Sequence, residues 1–446
     1  NGESKPFRII IVGGGICGLS AAIALRGPNR TITILEQSSF LREIGAAISL
    51  QPNASKILSR TWNLSPAAPD APPCPHIVDR GFRIYSTDGA LVNEIPITTN
   101  PSYGADRIIY HRRDLHALLL HAATTPSRPH APASIRLATR VTAADPHAGT
   151  VTLATGATLA ADLVVAADGI RSALRSAVLG ADVAAVPTGL AAYRFVVPVR
   201  RLRGSAFAAK IDPGAPFTSM VMGWDRRLVM GPCRTVEGED ASGDYAVVAL
   251  VPDGCVAEDA GGSSWTSEGS VEALREAYKD FPGWVTGMFE LAGPVGLWQL
   301  RDLEPLERWR RGRVVLVGDA AHAMLPTQGQ GASQSVEDAE ALGAMFEDVD
   351  GWVAGEEVER RLDEVVKCRY ERATLIQAYS RQAARPATNG KDSKVTLTTA
   401  EFMDYNCMYY GAKDFLRRQQ EGNNVSGCQG VREEEMGIRP CKRKDG

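Results

Sequence analysis

Gly13, Gly15 and Gly18 stand at the spacing G-x-G-x-x-G, between the apolar run Phe7 to Val12 and a small-residue stretch from Ile16 to Leu25. Glycine at those points lets the chain turn tightly, lets backbone approach a pyrophosphate, and lets a helix lie close on a strand. The chemistry indicated is dinucleotide binding at the positive end of a helix. Glu36 closes a second apolar run, Thr31 to Leu35, where a carboxylate accepts from ribose hydroxyls. Two more aspartates end buried-strand runs: Asp168-Gly169 after Leu163 to Ala167, and Gly318-Asp319 after Arg313 to Val317. Taken alone, Asp168 reads first as a turn former and helix N-cap. Gly329-Gln330-Gly331-Ala332 forms a second glycine loop ahead of a helical stretch. Arg194 lies in Leu190 to Val197, an otherwise apolar strand, where an unpaired guanidinium is expensive; it must face a carboxylate or an active site.

The elements that must position these residues follow from periodicity. Phe7 to Val12, Leu163 to Ala167 and Arg313 to Val317 are continuous apolar runs of the kind buried in a parallel sheet. Gly81 to Tyr85 and Leu91 to Ile95 flank an Asp88-Gly89 hairpin turn, and Ile135 to Asp162 alternates with turns at Ala148-Gly149 and Thr155-Gly156. His111 to Leu120 has helical spacing. From Leu190 to Val251 short strands dominate (Leu190 to Val199, Phe217 to Trp224, Arg227 to Met230, Tyr245 to Val251), which predicts a largely antiparallel sheet inserted into the nucleotide-binding unit. Val271 to Phe281 and Gly331 to Phe346 read as helices. The prolines at 66, 69, 72, 73 and 75 mark an irregular excursion, and residues 419–446 are polar and charged.

With 446 residues and 44% hydrophobic content the chain can bury a large core in two or three structural units. The 49 basic and 52 acidic residues nearly balance, which gives no nucleic-acid footprint and points to a small or neutral partner. Eight cysteines lack metal or C-x-x-C spacing, so reduced thiols in a cytoplasmic or otherwise intracellular protein are expected, with no metal. No apolar run is long enough to span a bilayer, and the first residues lack a signal pattern.

Three separated stretches together form a pattern: Gly13-x-Gly15-x-x-Gly18, Ala167 to Ser172, and Val317 to Pro326 with Gly329 to Ala332. In order and spacing, from residue 7 to about 385, they resemble the single-component FAD-dependent aromatic hydroxylases, the group that includes salicylate and para-hydroxybenzoate hydroxylases. His111-Arg112-x-Asp114-Leu115 resembles a further segment of that family. The resemblance implies an α/β fold: a Rossmann-like FAD-binding domain with an inserted, mostly antiparallel β-sheet substrate domain. The expected segments are FAD-binding at 1–75, 104–182 and 296–385, a sheet excursion at 76–103, the substrate sheet at 183–295 and a C-terminal segment at 386–446. It implies that Glu36 binds the adenosine ribose, that Arg112 contacts FAD, and that Asp168-Gly169 touches cofactor and helps nicotinamide dock. Asp319 would hold the ribityl or pyrophosphate part, and Gly329, Gly331 and Ala332 would lie beside the isoalloxazine ring.

The family's reaction uses NADPH or NADH to reduce FAD, captures O2 as a flavin C4a-hydroperoxide and delivers one oxygen to an electron-rich carbon. Arg194 is the expected catalytic residue, stabilising a phenolate or other anionic substrate; the alternative is a structural ion pair. Trp224, Met222, Met230, Phe217 and Pro326 are candidate pocket residues, with plain core packing the alternative for the four on strands. Tyr193 is expected in the core and His322 as a structural hydrogen-bonder. Through Glu43-Ile44-Gly45, Gln51-Pro52-Asn53-Ala54 and Tyr193-Arg194 the resemblance extends to enzymes of fungal secondary metabolism. Those act on polyketide phenols by hydroxylation, or on indole alkaloids by 2,3-epoxidation leading to an oxindole. Rival readings are a flavin reductase without oxygen insertion and a non-catalytic FAD-binding redox sensor.

Overall fold

The computed structural model describes residues 5–39, 47–64, 72–97, 99–234, 243–255, 266–384 and 397–421. Pro66 and Pro69, the Glu43-Ile44-Gly45 motif and the polar run beyond 421 lie outside them. Contacts divide the chain into two units, one made of 1–39, 123–184 and 303–446, the other of 40–122 and 185–302. This partition is coarser than the six expected segments, and 104–122 falls on the sheet side of it. The cause is pairing: strand Ile108–His111 joins Ala47–Leu50 and His76–Val78 in a small antiparallel sheet.

The first unit is built on a six-stranded sheet. Phe7–Val12 lies near its middle, paired in parallel with Arg30–Leu35 on one side and Leu163–Ala166 on the other. Val314–Leu316 pairs in parallel with Leu163–Ala166, and Ser134–Arg136 with Arg30–Leu35; Arg310–Arg311 closes the far edge antiparallel. Five of the six residues of Phe7–Val12 are buried, as a strand covered on both faces requires. The chain leaves Phe7–Val12 toward one side of the sheet and later returns to the other. The strand order therefore reverses between Phe7–Val12 and Leu163–Ala166, and in open α/β sheets ligands bind outside the carboxyl ends of the strands at that point. Helices Ile16–Ala24 and Gly331–Met345 pack on each other, and Gly331–Met345 also packs on the long helix Gly355–Ala384. The hairpins expected at Gly149 and Gly156 join Val141–Asp145, Thr150–Leu153 and Thr158–Ala160 in a side sheet. The aromatic C-terminal stretch forms helix Thr399–Cys407, with Phe402, Tyr405 and Tyr409 buried in this unit.

The second unit is an eight-stranded sheet running Thr266–Glu268, Gly296–Asp302, Val186–Pro198, Asp244–Pro252, Arg227–Arg234, Thr218–Met222, Gly81–Tyr85 and Leu91–Pro96. Neighbours are antiparallel except Thr218–Met222 beside Gly81–Tyr85. Tyr193, Phe195 and Val197 point to one face, where they pack with Leu274, Tyr278, Val285, Met288 and Phe289. The helix expected from Val271 to Phe281 ends at Ala277, and a second one, Gly283–Phe289, follows. Pro282 separates the two, as the N-cap of the second helix. Cys17, Cys74, Cys233, Cys368 and Cys407 are free and buried. Among the described residues no helix is long and apolar enough to cross a membrane.

Candidate active site

In the first unit the three fingerprints converge where the strand order reverses. Gly13 has φ +106°, and a Cβ on it would stand 2.3 Å from the Ala167 carbonyl oxygen, so only glycine lets the first turn cross the end of the neighbouring strand. Gly18 lies beneath the same turn, its Cβ position 2.0 Å from the Gly13 carbonyl oxygen. Gly15 differs: a Cβ there would meet nothing within 4 Å. It precedes helix Ile16–Ala24, whose first amides receive no side-chain cap. An open glycine at an uncapped helix start is a cradle that a side chain would fill, which fits a pyrophosphate.

Glu36 is half-buried and holds the turn, accepting from the Gly14 amide at 2.7 Å and the Ser38 amide at 2.8 Å. Asp168 Oδ2 accepts from the amides of Ala173 (2.8 Å) and Leu174 (3.3 Å), while its Oδ1 is buried without a hydrogen-bond partner. Burial pushes the Asp168 carboxyl above its ordinary value. The turn-forming reading of Asp168 is thus present in the structure, whereas helix Arg175–Leu179 has Leu174 as its N-cap and no side-chain cap; the second oxygen of Asp168 is left for a donor, as a ligand hydroxyl would be. Asp319 opens the short helix Asp319–His322 and is exposed. Gly329 has φ +61° and ends the turn Pro326–Gln328, and Gly331 and Ala332 begin helix Gly331–Met345, again without a side-chain cap. These residues, an open glycine, an orphaned carboxylate oxygen and two uncapped helix starts, fit a flavin dinucleotide.

Two groups missed by the sequence reading hold this arrangement. Buried Arg175 donates to the carbonyl oxygens of Ala320 (3.0 Å), Ile170 (3.0 Å), Val183 (3.0 Å) and Asp319 (3.4 Å), tying the second fingerprint to the third. Behind the third, Asp338 Oδ2 accepts from the Gly318 amide at 2.8 Å and lies 2.6 Å from His322 Nε2, with Arg369 Nε at 2.9 Å from Oδ1. Against the desolvation of full burial, His322 and Arg369 hold the Asp338 carboxyl down to about 2. His322 is structural, as expected. The available signal was the acid pair Glu337-Asp338 between Val336 and Ala339 in a small-residue helix; Arg369 and Arg372 give none, since they stand beside Lys367 and Glu371 in a charged stretch.

In the second unit Arg194 lies on the sheet face turned away from Tyr193, Phe195 and the two helices, because side chains alternate along a strand. It has no carboxylate or hydrogen-bond partner among the described residues, and its Nε is buried. Its guanidinium carbon sits 5.3 Å from the centre of the Trp298 ring. Desolvation and then the nearby Arg112 charge bring the Arg194 pKa down to about 10. Arg112 begins helix Arg112–Thr124 and is half-buried. Arg194 is thus a half-buried guanidinium beside a second one.

Within the second unit the candidate pocket residues lie on different faces of the sheet. Met230 is buried against the helices in the main hydrophobic cluster, on the opposite face from Arg194, because it alternates with Val229; core packing is its role. Met222 pairs with Arg227 on the Arg194 face but is 41% exposed, and Trp224 is 70% exposed in the turn beyond it. Phe217 is half-buried under the Arg83 guanidinium at 4.5 Å. Pro326, in the first unit, is exposed. The sheet face around Arg194 carries instead Ala192, Val248, Val229, Arg227 and Trp298.

Comparison with known proteins agrees with this geometry. Residues 290–379 match the model of an FAD binding domain, and residues 11–46 that of an NAD(P)-binding Rossmann-like domain. The chain is 32% identical over 393 residues to hispidin-3-hydroxylase of Neonothopanus nambi, covering 84% of this chain and 88% of that one. It is 31% identical over 360 residues to 6-hydroxynicotinate 3-monooxygenase of Bordetella bronchiseptica, covering 77% and 84%. The solved structure of a salicylate hydroxylase substrate complex superposes with a TM-score of 0.67 at 26% identity, over 95% of this chain and 97% of that one. With an FAD cradle at the switch point and relatives of this coverage, the chain belongs to the FAD-binding monooxygenase family of the salicylate hydroxylase type.

Proposed function

We propose that the protein hydroxylates an electron-rich aromatic small molecule that carries an acidic hydroxyl or carboxyl group, with NADPH or NADH as electron donor. Arg194 carries this reading: a cation with no carboxylate partner among the described residues, flanked by Arg112 and an indole face. Two guanidinium groups near each other favour an anion, and a phenol bound there ionises more readily. Ionisation pushes electron density into the ring, which is what an electrophilic oxygen donor requires.

Bound FAD supplies the redox chemistry, accepting hydride from reduced nicotinamide and activating O2 for transfer to the ring. The protein's own work is positional. Gly15 and the first amides of Ile16–Ala24 receive phosphate, Glu36 and Asp168 accept hydroxyls, and Asp319 holds the sugar chain. The start of helix Gly331–Met345 offers uncapped amides to negative charge on the reduced ring system. Arg194 orients the substrate anion, and the aliphatic face of Ala192, Val229 and Val248 keeps water from the substrate's own ring. The resemblance to enzymes of fungal secondary metabolism makes a polyketide phenol the preferred substrate class; an indole has no anion for Arg194 to meet.

The test is oxidation of NADPH and of NADH by the purified flavoprotein with matched phenols, aromatic acids and prenylated indoles, together with oxygen uptake and product mass. Stimulation by the acidic aromatics, with a product heavier by one oxygen, is expected. Stimulation by indoles alone would overturn the substrate class, and nicotinamide oxidation with no oxygen in the product would favour a reductase.

A further inference from the structure

Helix Gly331–Met345 carries three buried acids, Glu337, Asp338 and Glu340, each gripping a different part of the first unit. Glu340 accepts from Tyr409 OH at 2.7 Å and from the Ala412 amide at 3.1 Å. Glu337 pairs with Arg372 at 2.7 Å and with Arg369. Arg372 also donates to the carbonyl oxygens of Tyr405 (2.7 Å) and Asn406 (2.8 Å). Asp338 alone reaches the Gly318–His322 turn, and it does so at both ends, through the Gly318 amide and the His322 ring. Between those two anchors stands Asp319, exposed, and Gly318 is held at φ +58° and ψ −141°.

We propose that Asp338 is a positioning residue for the cofactor. It fixes the Gly318–His322 turn so that Asp319 and the turn's amides meet FAD, and Arg369 and Arg372 link it to the C-terminal stretch 405–412. The physical argument is valence. One carboxylate must accept from the Gly318 amide, from His322 and from Arg369, and an asparagine of the same shape must turn a donor toward at least one of the three. The Gly318 amide and His322 share Oδ2 while Arg369 faces Oδ1, so in a fully buried site the new donor either expels Arg369 and loosens the support of the turn, or releases both ends of the turn. The inference concerns FAD alone and stands apart from the choice of substrate.

The test uses the apoprotein of the full chain, titrated with FAD by fluorescence quenching, and the midpoint potential of the reconstituted flavin. Asp338→Asn is expected to raise the FAD Kd by about ten-fold or more, the worth of a charge-assisted hydrogen bond, and to shift the potential. Glu340→Gln is the control: an equally buried acid on the same helix, whose partners belong to the C-terminal stretch and not to the turn. It should leave both readouts at their wild-type values. Should Asp338→Asn fail to fold, His322→Phe removes the turn's second anchor while keeping a ring against Trp309, 5.0 Å away; it too must weaken FAD. An unchanged Kd in the variant that folds, or equal losses in Asp338→Asn and Glu340→Gln, would overturn the proposal.

Discussion

The glycines of the first turn separate two kinds of necessity. Gly13 is required by the fold, since any side chain there strikes the Ala167 carbonyl, so Gly13→Ala should cost the apoprotein several kcal/mol and show as a large drop in Tm. Gly15 is required only by what binds. Gly15→Ala meets no protein atom within 4 Å, so the apoprotein Tm should hold while FAD affinity falls. Arg194 gives a third residue-scale case, in which function opposes stability. Its pKa is depressed to about 10 from the ordinary arginine value, so the protonated form costs folding energy at every pH below 10, and that cost is relieved only as pH rises above 10 toward that ordinary value. Arg194→Met should therefore raise Tm at neutral pH, by roughly 1 kcal/mol or more of stability, while product formation collapses and FAD is retained. Loss of Tm in that variant would mean that the guanidinium is structural. The glycine spacing was legible because it needs only local geometry. The unpaired state of Arg194 could not be read, since its pairing depends on which strands become neighbours.

Among the elements, helix Gly331–Met345 has the most opposed demands. Asp338, depressed to about 2 by His322 and Arg369, contributes stability that is complete above its unfolded value of 3.8 and lost as pH falls toward 2. Glu340 is shifted the other way, because burial raises its carboxyl. Its charge costs stability at neutral pH, and the cost fades as the solution is acidified toward 4.5, its unfolded value. Glu340→Gln should then raise Tm more at pH 7 than at pH 4.5, since the amide oxygen still accepts from Tyr409 and Ala412; thermal scans at the two values would check it. The sequence showed this helix by its small-residue spacing and its glycine start. It did not show the network, because Arg369 and Arg372 lie thirty residues away and nothing local pairs them with Glu337. For Met230 and Met222 the sequence left pocket and core both open for a related reason: which faces they share depends on the register between strands Thr218–Met222 and Arg227–Arg234, and on which side packs on helices.

At the scale of the whole molecule the first unit is assembled from three stretches of chain, 1–39, 123–184 and 303–446. Strand Leu163–Ala166 waits for Val314–Leu316, so the switch-point crevice is completed by residues translated long after its first turn. Such non-local pairing is slow to form. Refolding should regain far-UV ellipticity well before it regains FAD fluorescence quenching. Saturating FAD, at about a hundred times its Kd, should add about 2.7 kcal/mol to the stability of the native state. The buried parallel strands and the inserted sheet were both legible, because the two kinds of strand differ in pattern; the order of the parallel strands was not, since it depends on which of them pair.

The buried thiols give the protein a built-in clock. Cys74 and Cys368 are pushed up to about 12 by burial, and Cys17 well above its usual value, so the attacking thiolate is scarce as well as shielded. An alkylating reagent such as a maleimide will find these positions only when the chain opens around them. Cys17 sits under the nucleotide turn and Cys233 in the sheet unit, so peptide mapping of alkylated sites over time reads the opening of each unit separately, without mutation and without an optical probe.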